Sequence, residues 1–266
     1  HTNKGEADIK CALAEVILRH QLLHSKINLH EEQLIEKDVV ISKEELSQYI
    51  TYKDMSAYNQ YSTKRFEDII YKRLLSEDFS KADMPWKLCL VKEDDENYLV
   101  LWGIDHIIFD GMSSNIIKNE LLLLINGQVD NLPRVQKYSD YGKDMSDSTL
   151  FKGLSNLSSW LQQNKECMTL FNQNCGDIKS IELTLPIYNK SDNLVFYTLQ
   201  NVISLLSNYI SREEIPLMLV EYGRYINGHD YHNCVGEFLD LIPLLLDQSI
   251  NHDNFEKLLE SCRGKN

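Results

Sequence analysis

The sequence has no apolar run near the length of a membrane span, and its start carries no apolar signal stretch. One helical crossing needs about 20 predominantly apolar residues, so no membrane partner is expected and the chain is expected in the cytoplasm. Positive charge is scarce: 27 Lys and Arg stand against 40 Asp and Glu, a formal net charge of −13. Nucleic acid and anionic membrane surfaces are held by basic patches, so no nucleic acid is expected as a partner. The six cysteines, Cys11, Cys89, Cys167, Cys175, Cys234 and Cys262, form no C-x-x-C pair. Several lie in apolar patterns, and reduced thiols are expected rather than a disulfide framework. Zinc, phosphate-loop and dinucleotide spacings are missing, as are internal repeats and low-complexity tracts. His229 and His232 flank Asp230, but no third ligand follows at a recognisable spacing, so no metal site is expected.

What is present fits a globular chain with a real core. Of 266 residues, 43% are hydrophobic and 25% charged, room for one large domain or two small ones. Residues 7–23 predict an amphipathic helix with Ile9, Leu13, Val16, Ile17 and His20 on one stripe. Short strands follow near Ser25–Leu29 and Leu34–Ile41, then a polar, irregular stretch over Lys43–Ala57. Lys64–Ser76 predicts a helix with Phe66, Ile69, Ile70 and Leu74 inward. Two apolar runs split by Asp94-Asp95-Glu96-Asn97 predict a β-hairpin. A helix over 114–125 ends near Gly127, a glycine C-cap. In the second half a helix over Leu150–Gln163, a strand over Ile178–Leu185 and a helix Leu194–Ile210 capped by Asp192-Asn193 are expected. A buried strand Ile215–Val220 and a last helix Asn254–Cys262 complete the pattern.

The hairpin runs out into Asp105-His106-Ile107-Ile108-Phe109-Asp110-Gly111-Met112-Ser113. A histidine and an aspartate four residues apart sit where the strand ends, followed by a glycine that suits positive φ or a close backbone approach. Histidine has the unperturbed pKa nearest neutrality and suits general-base work. The same spacing also fits a purely structural histidine at a strand end.

This stretch resembles the H-H-x-x-x-D-G signature of the condensation-domain superfamily, which includes nonribosomal peptide synthetase condensation domains and chloramphenicol acetyltransferase. The second His is retained as His106, and Asp105 stands for the first. Further landmarks follow in family order. Arg19-His20-Gln21-Leu22-Leu23-His24 is similar to R-H-E-x-L-R-T-x-F, with His24 in place of the second Arg, which in the family pairs with the motif aspartate. Phe79–Leu90 resembles F-D-L-x-x-x-P-L-x-R-x-x-L, and Leu132–Tyr141 resembles L-P-x-x-x-x-Q-Y-x-D-Y. Gly223-Arg224 and Val235-Gly236-Glu237-Phe238-Leu239-Asp240-Leu241-Ile242-Pro243 resemble the G-R stretch and V-G-x-F-x-N-x-x-P-L.

The resemblance implies an α/β fold of the α+β kind. Two chloramphenicol-acetyltransferase-like lobes, 1–145 and 146–266, would each hold a mixed sheet flanked by helices and form a V around a tunnel. It implies amide formation between a donor acyl or peptidyl thioester and an acceptor amine. Both would be held on phosphopantetheine arms of peptidyl carrier proteins, beside adjacent synthetase domains. No cofactor of the domain's own is implied. His106 would orient or deprotonate the amine, Asp110 hold the loop, and Gly111 offer an N–H to the oxyanion. Asp105 and Ser113 would touch substrate, while Arg19, His20, Arg224 and Gly236 would be structural. Asp105-x-x-x-x-Asp110-x-x-Ser113 also fits the D-x-x-x-x-D-x-x-S of heterocyclisation domains, although Leu239 stands where that branch has threonine. A non-catalytic domain of this fold that docks carrier or partner proteins is a third reading, and a free-standing CoA-dependent acyltransferase a fourth.

Overall fold

The computed structural model describes residues 4–30, 33–38, 42–79, 84–146, 162, 194–210 and 213–262. They divide into two compact units, His1–Lys143 with Arg224–Phe238, and Asp144–Gly223 with Leu239–Asn266. This is not a single cut at 145: the first unit breaks at Lys143, and 224–238 belongs with it although it lies far along the chain.

The first unit opens with α1 (Glu6–Arg19), which carries Glu6 and Asp8 in its first turn and Arg19 in its last. These signs complement the helix dipole. Ile9, Leu13, Val16 and Ile17 form its buried stripe, as the spacing predicts. The helix stops at Arg19 rather than running to residue 23, because His20 is extended (φ −111°, ψ 113°) and Gln21–His24 forms a 3-10 turn. β1 (Ser25–His30) and β2 (Gln33–Asp38) pair antiparallel. The stretch expected to be irregular is instead α2 (Lys43–Tyr49) and β3 (Ile50–Asp54). Ser42 accepts the Glu45 N–H while the Glu45 carboxylate accepts the Ser42 N–H, a capping box that starts so short a helix. Buried Leu46 and Ile50 anchor this pair to the core.

α3 (Gln60–Leu75) keeps Phe66, Ile70 and Leu74 partly buried, but Ile69, expected inward, is exposed. β4 (Trp86–Lys92) and β5 (Tyr98–Ile104) form the predicted hairpin, and β3 adds parallel to β4, giving the order β3-β4-β5. The hairpin turn is tied by the Asp94 carboxylate, which accepts the N–H groups of Glu96 and Asn97. α4 (Gly111–Ile125) follows β5 and packs on α1. It ends at Gly127, whose φ of 71° is the left-handed conformation that glycine takes without strain. Trp86 is buried, donates its indole N–H to the Leu23 carbonyl at 2.6 Å, and meets Trp102 edge to face at 5.8 Å. α5 (Tyr138–Ser146) comes next.

In the second unit α6 (Leu194–Ile210) and α7 (His252–Cys262) share a core with β6 (Ile215–Tyr222) and β9 (Leu239–Leu246), which pair antiparallel. Phe196, Ile203, Ile215, Ile242, Leu244, Leu246 and Phe255 are its buried residues. β6 is buried at Ile215 but turns outward at Val220, so it is not the uniformly buried strand expected from its apolar run. The predicted strand Ile178–Leu185 and cap Asp192-Asn193 lie outside the described residues, as does the predicted helix Leu150–Gln163 save for residue 162. β7 (Tyr225–Ile226) and β8 (His229–Asp230) form a small hairpin of the first unit. Its turn uses Asn227 (φ 50°) and Gly228 (φ 84°), both left-handed. Cys11 and Cys89 carry free thiols, the first exposed and the second buried. No described helix is long and apolar enough to cross a membrane.

Candidate active site

The motif begins where β5 ends. The Asp105 N–H still donates to the Pro85 carbonyl at 2.9 Å, which extends the hairpin pairing by one step. Asp105 then caps a 3-10 turn, His106–Ile108, its carboxylate accepting the Ile107 N–H at 3.0 Å. Ile108 is fully buried and pins the turn to the core. The turn therefore projects His106 outward, with 74% of its side chain exposed. Its Nδ1 lies 2.7 Å from Oε2 of Glu237. Glu237 lies within the V-G-x-F segment, where nothing in the sequence marks it for a role. Its position follows from a fold in which 224–238 returns to the first unit, and local sequence carries no signal for that.

Asp110 faces the other way. It is the N-cap of α4, and its Oδ1 accepts the Ser113 N–H at 2.7 Å. An N-cap aspartate satisfies one of the donors that the first turn leaves without an intrahelical partner. Both carboxylate oxygens also accept from Nη2 of Arg224, at 2.6 and 2.8 Å, and both side chains are fully buried. His24 stands where the resemblance implies an arginine to pair with this aspartate, which leaves that cation to come from elsewhere. Arg224, from the other end of the chain, supplies it.

Ser113 completes the cluster. Its hydroxyl accepts from the Gly236 N–H (3.1 Å) and from Arg224 Nη2 (3.1 Å). Its proton serves Asp110 Oδ1 (2.8 Å) or the Gly236 carbonyl (3.0 Å). Ser113, expected at the substrate, is thus buried and fully engaged by protein. Asp105, given the same role, uses one carboxylate oxygen, Oδ1, on the turn. Gly111 opens α4 on the exposed side and is not among the positive-φ residues, so no special backbone conformation requires a glycine there.

Arg224 also donates through Nη1 to the carbonyls of Tyr231 and Cys234, and its guanidinium stacks 4.0 Å from the Phe238 ring centroid. Phe238 packs with Tyr138 and Tyr141 at 5.2 and 4.6 Å. The Tyr138 hydroxyl donates to the Glu237 carbonyl at 2.7 Å. Gly236 is required here by space: a Cβ on it would lie 2.3 Å from the Tyr138 ring.

Arg19 and His20 form a second cluster, in which His20 and Glu120 are buried and Arg19 is partly exposed. Arg19 Nε and His20 Nε2 meet the same oxygen of Glu120, at 2.8 and 3.1 Å, and Arg19 Nη2 reaches the Pro133 carbonyl at 2.7 Å. Burial pushes the Glu120 carboxyl up, but hydrogen bonds and charge from His20 and Arg19 outweigh it and hold the group below its ordinary value. This cluster ties the end of α1 to α4 and does not reach solvent as His106 does. His232 and Asp230 form an exposed pair, Nδ1 to Oδ1 2.5 Å. Among the described residues no group of three His, Cys, Asp or Glu is arranged to hold a metal ion.

Comparison with known proteins gives the family and the fold. The family model for the condensation domain matches residues 5–174. Bacitracin synthase 3 of Bacillus licheniformis is 27% identical over 267 residues, covering 90% of this chain and 4% of that protein. Bacitracin synthase 1 of the same organism is 22% identical, covering 86% of the chain and 5% of that protein. The chain thus spans about one twentieth of the curated relatives' length. Among solved structures, a mutant of the starter condensation domain of the rhizomide synthetase superposes with a TM-score of 0.70 at 12% identity, over 98% of this chain and 64% of that one. The family model covers well over half of the sequence, and this chain belongs to the condensation-domain family.

Proposed function

We propose that this domain forms an amide bond within a nonribosomal peptide synthetase, between a donor acyl or peptidyl thioester and an acceptor amine. Both substrates arrive in the cytoplasm on phosphopantetheine arms of carrier proteins, from adjacent synthetase domains. The observation that carries the reading is the state of His106: an exposed imidazole on a turn that Ile108 and the Asp110–Arg224 pair hold rigid.

In the reaction the amine nitrogen attacks the thioester carbonyl. A C–N bond forms, the C–S bond breaks, and the thiolate leaves on the donor arm. The attacking amine must lose a proton, which His106 accepts and returns to the thiolate. Holding the two reactants together supplies much of the rate, and a placed base adds roughly 10²–10⁴-fold. The Gly111 N–H, at the first position of α4, lacks an intrahelical acceptor and would donate to the oxygen that gains charge. Asp110 acts through the backbone it fixes. The test is a single-turnover assay followed by intact-protein mass spectrometry, mixing donor-loaded and acceptor-loaded carrier proteins with the domain. Mass transfer that falls at least about 100-fold in His106→Ala is expected. Binding of carriers without transfer in the wild type would overturn the reading in favour of a docking domain, and loss of one water from the product would move it to heterocyclisation.

A further inference from the structure

We infer that the first unit carries a second binding site, away from the motif, that takes an organic dication with an apolar stem, such as an alkyl diamine. The site is a cavity of about 760 Å³ between the start of α3 and the turn of the β4–β5 hairpin, with Tyr58, Tyr61, Lys64, Glu67, Glu93 and Asp94 in its lining. That volume is in the ordinary range of small-molecule pockets. The cavity lies at the opposite end of β5 from His106, since the strand runs from Tyr98, beside the turn, to Ile104, before the motif. A ligand there does not touch the motif, so the site stands apart from the proposed role of His106. Its walls are tied in place. The Asn59 side chain accepts the Ser62 N–H at 2.9 Å and starts α3. The Met55 N–H donates to the Lys92 carbonyl at 2.8 Å, and the Glu93 N–H donates to the Asn97 carbonyl at 2.9 Å.

Charge and ring chemistry select the ligand. Three carboxylates against one ammonium line the cavity, a formal balance of −2. Asp94 is already satisfied: it accepts from the Asn97 side-chain amide and from the N–H groups of Glu96 and Asn97, which hold its carboxyl below the ordinary value. Glu93 is in the opposite state. Burial pushes its carboxyl up, and a hydrogen bond and the charge of Glu67 add to the rise, against the charge of Lys64. Lys64 gives little relief, because it divides itself between Glu67 at 3.4 Å and Asp68 at 3.6 Å with 69% of its side chain exposed. Glu67 is only 12% exposed, so two carboxylates stand together, partly withdrawn from water and short of positive charge. An ammonium between them gains charge-assisted hydrogen bonds. The exposed rings of Tyr58 and Tyr61 offer apolar contact to a carbon stem and a π-face to a second ammonium. The positive end of α3 opposes a cation only near its first turn, and Glu67 lies one turn beyond. Among the described residues no group of three His, Cys, Asp or Glu is arranged to hold a metal ion, so the lining suits an organic cation rather than a bare one.

The test is isothermal titration calorimetry of the domain with cadaverine, an alkyl diamine, at roughly 0.15 M salt, where exposed charges are screened beyond about 8 Å. Saturable binding of one molecule per domain is expected, and none of the neutral analogue pentanediol. Glu93→Gln is expected to weaken binding at least about tenfold, through the loss of a charge-assisted hydrogen bond. Tyr61→Ala is expected to weaken it about two- to fivefold. Glu44→Gln removes the same charge from the exposed surface of α2 and is expected to leave the affinity within about twofold. Glu67→Gln takes the place of Glu93→Gln if that variant does not fold. The absence of saturable heat with cadaverine would overturn the site, as would equal affinity in wild type, Glu93→Gln and Glu67→Gln. A loss in Glu44→Gln as large as that in Glu93→Gln would overturn it too, since it would mean general attraction to an acidic chain.

Discussion

His106 and Asp110 are four residues apart and live in opposite surroundings. The imidazole is mostly exposed and touches one carboxylate, whereas the aspartate is fully buried among Arg224, Ser113 and the start of α4. The difference comes from the turn between them. Asp105 caps a 3-10 turn, Ile108 sinks into the core, and Asp110 caps the next helix, so the backbone rotates the two side chains to opposite sides. One short motif thus holds a group to be presented and a group to be locked, and the second makes the first rigid.

The largest expected effect breaks the locked half. Arg224→Ala leaves a buried carboxylate without its cation, which costs about 3–5 kcal/mol. The exposed half is the contrast: His106→Ala is expected to stay within roughly 0.5 kcal/mol of wild type. Urea unfolding of the two variants checks both, and equal destabilisation would mean that the two ends are not separable. Gly236→Ala comes next. Its methyl would overlap the Tyr138 ring, and overpacking of this kind costs about 1–3 kcal/mol. Thermal denaturation of Gly236→Ala with and without Tyr138→Ala should show the penalty relieved in the double variant.

The smallest effect sharpens the comparison with the other buried carboxylate. Glu120 has its pKa lowered in the folded state, because His20 and Arg19 outweigh the cost of burial. A depressed folded pKa contributes stability above the unfolded value, and that stability is lost as pH falls through the folded pKa. Unfolding midpoints should therefore decline below the ordinary glutamate value of 4.5 more steeply in wild type than in Glu120→Gln. Parallel slopes would show that the cluster is not linked to protonation.

Much of the first unit was readable in advance because its signals are local. The α1 stripe, the β4–β5 hairpin with its Asp94 turn, the glycine C-cap of α4 and the strand-to-helix placement of His106 each follow from residues within one element. The α2 helix escaped because seven residues show too little periodicity, although Ser42 and Glu45 spell a capping box. Ile69 was misplaced because α3 is polar, and its exposed face tolerates an isolated apolar residue.

The sequence by itself determined the motif, its position at a strand end, the capping role open to Asp110 and the acidic character of the chain. Only the tertiary structure decided what the motif residues face. Arg224 lies 114 residues from Asp110, and Ser113 lies 123 residues from Gly236. Hydrogen-bond and ion-pair partners so far apart leave no periodic trace in a sequence, since periodicity records only which side of an element is apolar. It took the return of 224–238 to the first unit to turn Arg224 into the counter-ion of Asp110, and to bring Glu237 to the ring of His106.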